Sequence, residues 1–254
     1  MYSLLHAPST KANNTLISVL AVCSESVSEE QKNLLRSEGV TVVEVKDVPV
    51  NWWIYSGVSR WKEQFTKLRV FQMIEYKRIL FIDADTLITR PLDAIFSEPE
   101  VTSLAPRIRD SKLKSDELSP PKEWFFAARS DSGLAGERDH PIPPFQTTAF
   151  SAGFFMLSPH PQLYAYLLSV MSHWRRFDPF TMEQSLLNYV FRREGTMPWR
   201  ELNWKWSATW PTEGDVQAGV ATVHEKLWNR GPELLQRMWR EREQEMMNFY
   251  GSYR

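Results

Sequence analysis

The stretch Ile79-Leu80-Phe81-Ile82-Asp83-Ala84-Asp85-Thr86-Leu87-Ile88 decides how the rest of the chain is read. Its first four residues are apolar, with β-branched and aromatic members, which predicts a strand buried on both faces. The strand runs into two carboxylates separated by one alanine. An ionised carboxylate is costly to bury alone, so Asp83 and Asp85 belong at an exposed strand end or beside a compensating charge. Strand alternation points both of them to one side and Ala84 to the other. Two acceptor-only groups aimed at one spot repel each other unless a cation lies between them, and carboxylate oxygens suit magnesium or manganese. Two solvated aspartates in a turn, capping a short helix, satisfy the same pattern, so both readings stay open on these residues alone.

Composition narrows the classes. The 254 residues suffice for one substantial core and are read as a single domain over 1–254. A formal net charge of −1 gives no general attraction to nucleic acid or to an anionic membrane, and no nucleic-acid partner is expected. The single cysteine, Cys23, excludes an internal disulfide and lies in an apolar run that suits a packed thiol. No apolar stretch approaches the roughly 18 residues of a membrane span, and the N-terminus lacks the pattern of a signal peptide. The expectation is a soluble cytoplasmic protein, or one of the Golgi or secretory lumen if an anchor precedes this N-terminus. Eleven tryptophans are many, and they cluster late, at 199, 204, 206, 210, 228 and 239. Large rings supply core area; they also serve as platforms for sugar rings, and composition leaves both open.

Along the chain, Thr15–Cys23 reads as a buried strand. Ser28 and Gln31 form a capping box that opens a helix through Leu34 and Leu35, closed by Gly39. Val40–Val45 reads as a second strand, and Trp61, Phe65, Leu68 and Phe71 recur at helical spacing. Strand and helix therefore alternate over the first ninety residues, which favours a mostly parallel sheet flanked by helices, with binding sites at the carboxyl ends of strands. Residues 98–146 carry seven prolines and read as a long irregular excursion. Phe150–Leu157 returns to strand character, with Gly153 marking a close approach. Helices follow from Pro161 to Trp174, from Met182 to Arg193, and from Pro232 onward. Trp199–Pro211 reads as irregular and aromatic.

Four blocks, the first of them a run from Lys67 to Phe96, carry a resemblance. Lys67-Leu68-Arg69-Val70-Phe71, then Tyr76-Lys77-Arg78, then Asp83-Ala84-Asp85-Thr86-Leu87, lead into Pro91-Leu92-Asp93-Ala94-Ile95-Phe96. Phe150-Ser151-Ala152-Gly153-Phe154-Phe155, Thr181-Met182-Glu183-Gln184-Ser185-Leu186-Leu187-Asn188 and His224-Glu225-Lys226-Leu227-Trp228 follow in order. In this order the blocks closely resemble the family 8 glycosyltransferases, the glycogenin-like group, and the short fungal members most of all. The phosphatase motif Asp-x-Asp-x-Thr does not fit, because Thr86 comes one position early and Leu87 stands in the threonine's place.

The resemblance implies an α/β GT-A fold and a retaining, manganese- or magnesium-dependent transferase of the hexosyltransferase class. Its donor would be a nucleotide-sugar, usually UDP-linked, and its acceptor a glycan, a protein or a small molecule. Asp83, Asp85 and His224 match the metal ligands. Lys67 and Lys226 match lysines that steady the diphosphate, although Lys226 lies closer to the histidine than is usual. Ala84, Asp85, Asp131, Ser151 and Gly153 match positions lining the nucleotide-sugar, with Ser151 standing where relatives often carry asparagine. Glu183 and Gln184 match the Asp-Gln pair that approaches the reacting sugar; Thr181 with Gln184 also spells a capping box. The acceptor is expected under the 98–146 excursion and the Trp199–Trp210 segment. A homodimer is among the arrangements the resemblance allows.

Two departures accompany the resemblance. Family chains begin with a strand that cradles uracil and ribose, whereas this sequence starts at the segment after it: either the sequence is N-terminally incomplete, or nucleotide binding is weakened, or another segment substitutes for that first strand. Glycogenin's tail with its self-glucosylated tyrosine has no counterpart, and self-glucosylation is not expected. The alternative function is therefore a catalytically impaired GT-A-fold protein that binds a glycan or a partner. A metal-dependent hydrolase would need a water-activating base that no residue obviously supplies.

Overall fold

A computed structural model of the chain describes residues 1–55, 59–135 and 138–251. After a short N-terminal helix, α1 (Tyr2–Leu5), comes the first strand, β1 (Leu20–Ser24), which starts later than the apolar run suggests. An Asn14 turn accounts for the delay: its side-chain carbonyl accepts the Leu16 N–H and its backbone carbonyl the Ile17 N–H. Helix α2 (Glu29–Ser37) forms as read. The Ser28 hydroxyl accepts the Gln31 N–H at 3.3 Å and the Gln31 side chain accepts the Ser28 N–H at 3.1 Å. Gly39, at a φ of +85°, ends it in a conformation that costs other residues more. Strand β2 (Thr41–Val45) then pairs in parallel with β1.

The segment holding Phe65, Leu68 and Phe71 is a run of 3₁₀ turns, Ser59–Gln72, rather than an α-helix. These three residues are spaced by three, so at 3.0 residues per turn they stack on one face, and all are fully buried. The Trp61 side chain lies outside the described residues.

Strand β3 (Ile79–Ile82) differs from the expectation of burial on both faces: all four residues are only partly buried. It is an edge strand, paired antiparallel with β8 (Phe150–Leu157) on one side and with no described strand on the other. The next strand, β4 (Thr86–Ile88), leaves for a different sheet. Within the proline-rich excursion lie a short helix, α3 (Pro99–Thr102), the small pair β5 (Ala105–Pro106) and β6 (Glu123–Trp124), and a fully buried strand, β7 (Phe126–Ser130). The run Trp124-Phe125-Phe126-Ala127-Ala128 announces that strand, and the prolines around it mask the signal.

The main sheet has the order β3-β8-β7-β9, where β9 is Arg200–Glu201. It is mixed, not mostly parallel: β8 runs antiparallel to both β3 and β7, and only β7 and β9 are parallel. Consecutive neighbours joined without a crossover must run antiparallel, and β7 and β8 are joined by the 131–149 excursion in that way. A second sheet, β10-β11-β4, is made of β10 (Ala208–Thr209), β11 (Thr222–His224) and β4. Neither β10 nor β11 is long enough to leave a periodic signal in the sequence.

Helices α4 (Pro161–Ser172) and α5 (Glu183–Val190) cover the main sheet over a phenylalanine-rich core. Within it Phe126 and Phe191 stack with ring centroids 4.0 Å apart. After α6 (Glu213–Gln217), helix α7 (Glu233–Gly251) packs Leu235, Met238 and Trp239 on the second sheet. Further along, Arg242 donates to Thr10 at 2.9 Å and Phe249 stacks on His6, so α7 straps the N-terminal segment down. No described helix is long and apolar enough to cross a membrane.

Asn188 fastens α5 to the start of β8, donating to the Phe150 carbonyl and accepting the Phe150 N–H, each at 2.9 Å. Asn188→Ala leaves two backbone groups of β8 without those partners. We expect it to cost about 2–3 kcal/mol, read as a lower urea midpoint with an unchanged slope.

Candidate active site

Asp83-Ala84-Asp85 is the corner at which the chain passes from the main sheet to the second one. The Asp83 N–H still bonds the Gly153 carbonyl at 2.8 Å, and the Thr86 N–H then turns back to the Asp83 carbonyl at 3.2 Å. The two carboxylates therefore converge through a tight turn, which replaces the pleat of one continuous strand inferred from the sequence. Immediately after the turn, β4 pairs antiparallel with β11 in a register that sets Thr86 opposite His224. That register brings the His224 Nε2 to 2.9 Å from Asp85 Oδ1 and 3.9 Å from Asp83 Oδ2. One ligand atom from each of the three side chains lies within 4.8 Å of the others.

Gly153 makes this closeness feasible. A Cβ there would fall 2.3 Å from the His224 ring and 3.1 Å from Asp83 Oδ2, far inside contact distance for the ring. The glycine's φ is not in the left-handed region; its requirement is space, not backbone freedom.

Charge at the site is arranged in two adjoining layers. The hydrogen bond from His224, aided by its charge, holds the Asp85 carboxyl below its ordinary pKa against the opposing effect of burial. Burial pulls His224 down, but the Asp85 bond and the charges of Asp85 and Asp83 raise it above the ordinary imidazole value. Beneath them, Lys67 reaches Glu183 at 2.8 Å, Asp83 Oδ1 at 3.1 Å and the Ala152 carbonyl at 3.2 Å. Burial alone would lower its pKa; Glu183 and Asp83 more than offset that, so Lys67 stays charged. Glu183 is 4 % exposed, and burial pushes its carboxyl upward despite Lys67.

Two carboxylates and an imidazole directed at one spot form a donor set able to hold a hard or borderline divalent cation such as manganese. The imidazole must be neutral to ligate. Because its pKa is raised, proton and metal compete for Nε2, and manganese affinity should fall as the pH drops through that value and level off above it.

The remaining sequence-nominated residues take varied places. Ala84 and Lys226 are exposed, and the Lys226 charge contributes to the low pKa of Asp85. The Ser151 hydroxyl accepts the Gly153 N–H at 3.3 Å. Asp131 stands on the far side of β10, where its Oδ1 accepts from the Gly133 N–H at 3.0 Å and the Thr209 hydroxyl at 3.2 Å. Gln184 does not complete a capping box with Thr181. Thr181 instead pairs with Ser185 at 2.7 Å, and the Gln184 carbonyl oxygen accepts the Ala152 N–H at 2.9 Å. The helix start is Met182, at a φ of 51°, a strained conformation for a non-glycine residue.

Two neighbours escaped the sequence reading. Thr209 links Asp131 to the His224 row, since β10 and β11 pair Thr209 with His224. Glu225 is a buried carboxylate held by Arg138 at 2.9 Å and Arg230 at 2.7 Å. Its position directly after His224 was the available clue.

No family model matches the chain. An uncharacterized protein of Schizosaccharomyces pombe is 26 % identical over 98 % of this chain and 73 % of its own length. Galactinol synthase 4 of Arabidopsis thaliana is 25 % identical over 66 % of this chain and 49 % of its own length, so the chain spans about half of that enzyme. Inositol phosphorylceramide glucuronosyltransferase 1 of Arabidopsis thaliana is 29 % identical over a shorter stretch, 31 % of this chain and 14 % of its own length. The enzymes among these relatives are glycosyltransferases, and the likenesses do not single out the glycogenin-like members.

Gly153→Ala should displace the His224 ring. The expected outcome is loss of at least about tenfold in manganese affinity by calorimetry, with a folded far-ultraviolet circular dichroism spectrum retained.

Proposed function

We propose that the chain is a metal-dependent, retaining glycosyltransferase that moves a sugar from a UDP-sugar to an acceptor hydroxyl. The observation that supports this reading is the convergence of Asp83, Asp85 and His224 beside the charged Lys67, where carboxylate, imidazole and ammonium together suit a diphosphate. A divalent cation held by Asp83, Asp85 and His224 would supply Lewis-acid neutralisation of the leaving group.

The chain's own residues do the rest. Lys67 offers a buried positive charge fixed on three sides, a preorganised partner for developing negative charge. Glu183 acts through Lys67 as a positioning residue, and the buried carboxylate keeps the ammonium aimed at the Asp83 corner. Lys226 adds a second, solvent-exposed charge at the rim. Gln184 and Ser151 brace the backbone around Ala152 and Gly153, which keeps His224 in register. In the transfer, the acceptor oxygen bonds the anomeric carbon as the carbon–oxygen bond to the diphosphate breaks. The electron pair leaves with the diphosphate, whose oxygen takes the acceptor's proton. Retention follows from attack on the same face or through a short-lived covalent intermediate.

Calorimetry with UDP in the presence and absence of manganese tests the binding half, and hydrolysis of UDP-glucose, UDP-galactose and UDP-glucuronate tests the chemistry. Metal-dependent UDP binding is expected, with turnover lowered about 100-fold or more by Asp85→Asn. UDP binding indifferent to metal would overturn the reading. Metal-dependent binding with no turnover of any donor would favour a catalytically impaired, glycan-binding protein.

A further inference from the structure

Several large apolar side chains near the C-terminal end of α4 are turned to solvent. Trp52, Tyr55, Trp174 and Phe180 are 82, 74, 63 and 79 % exposed, and Leu118 is 57 % exposed. Isolated apolar residues are ordinary on a protein surface, whereas a group of them marks an interaction site. These five sit on three loops that are fastened together from within. The Asn51 side chain donates to the Met171 carbonyl at 3.2 Å, and Trp53 packs edge-on against buried Phe177, with ring centroids 5.2 Å apart. Arg176 donates to Glu117 at 2.5 Å and to Asp116 at 2.6 Å, and the Leu118 N–H donates to Ser169 at 3.0 Å. Trp53, Ile54 and Phe177 are thus committed inward, which leaves Trp52, Tyr55, Trp174 and Phe180 outside.

The backbone and the charges agree with this display. Arg175 has a φ of 52°, in the left-handed region that costs a residue with a side chain. Its guanidinium lies 4.8 Å from the Trp174 ring centroid and makes no ion pair among the described residues. The carboxylates of the same loops are engaged. Glu117 is buried under Arg176, Tyr166 and Tyr189, and Asp116 holds Arg176. Asp178 accepts the Phe180 N–H, and Asp47 the Thr66 hydroxyl, each at 3.0 Å.

We propose that this end of the molecule docks on the headgroup layer of a phospholipid bilayer, with the four rings inserted and Arg175 meeting lipid phosphate. The inference stands apart from the glycosyl-transfer reading. Tryptophan and tyrosine suit that depth, because the ring is apolar while its N–H or O–H still reaches polar groups. A glycan would call for acceptors as well as donors around the rings, and here the carboxylates are spent on Arg176, a hydroxyl and a backbone N–H. A protein partner would need a surface matched to three separate loops, whereas a headgroup layer deforms around them. The formal net charge of −1 supplies no general electrostatic pull, so adhesion rests on ring insertion, with the Arg175–phosphate contact as its charged complement.

The test is co-sedimentation of the full chain with vesicles of phosphatidylcholine. Trp52→Ser, Trp174→Ser and Phe180→Ser are compared with the wild type, each with a matching far-ultraviolet circular dichroism spectrum. Leu16→Ser is the control, since Leu16 is 91 % exposed but lies on the N-terminal segment held by Asp93. The wild type should partition onto the vesicles, each ring substitution should lower the partition coefficient about tenfold, and Leu16→Ser should leave it unchanged. Brominated phosphatidylcholine should quench the wild type's tryptophan fluorescence, and less so in Trp52→Ser and Trp174→Ser. Absence of partition by the wild type, or partition that the ring substitutions leave intact, would overturn the proposal. So would a dimer in sedimentation velocity that the same substitutions dissolve, or maltohexaose binding that they abolish, when no partition is seen; those results would assign the rings to a second copy or to a glycan.

Discussion

The absence of a side chain at residue 153 is the constraint on which this architecture turns. β8 belongs to the main sheet and β11 to the second, and His224 must cross from one to the other to meet Asp83 and Asp85. The space it occupies is the space a Cβ at 153 would fill. A hydrogen-bonded ladder supports each partner: the Gly153 carbonyl holds the Asp83 N–H, and the β4–β11 register delivers His224 beside the turn. Two neighbouring carboxylates and an imidazole from a distant part of the sequence are thereby aligned by backbone geometry before any ligand arrives, the arrangement that catalytic electrostatics rewards.

Beneath this corner the electrostatics are equally committed. Removing one partner of a buried ion pair leaves an uncompensated charge and costs more than the pair itself contributes. Lys67 and Glu183 stand in that relation, with Asp83 and the Ala152 carbonyl completing the lysine's surroundings. The arrangement has a functional logic. Of the neighbours of Asp83, the lysine takes Oδ1 most closely, and the histidine approaches Oδ2. One carboxylate thus joins a positive layer below to the candidate metal position above.

Much of this was legible in the sequence, for reasons that can be named. Local signals were read correctly where chemistry is local: the Ser28–Gln31 box and Gly39 bound α2 as expected. Asp83 and Asp85 belong to one motif and His224 to another, and the structure brings the three together. The misreadings arose where tertiary context decides. Phe65, Leu68 and Phe71 are compatible with either helical period, and packing selected the tighter one. The direction of β8 depends on how the 131–149 excursion returns, which no residue in β8 encodes. β7 was hidden by flanking prolines, and β10 and β11 are too short to show a period. Gln184 does not complete the capping box it spells with Thr181, because its side chain accepts the Ala152 N–H of β8.

The measurement that bears most directly on the account is a crystal structure with UDP and manganese, with anomalous data collected at the manganese edge. The account predicts one strong anomalous peak bounded by the carboxylates of Asp83 and Asp85 and the ring of His224, with the diphosphate on its open side toward Lys67. A peak elsewhere, or UDP bound with no manganese at that corner, would contradict it.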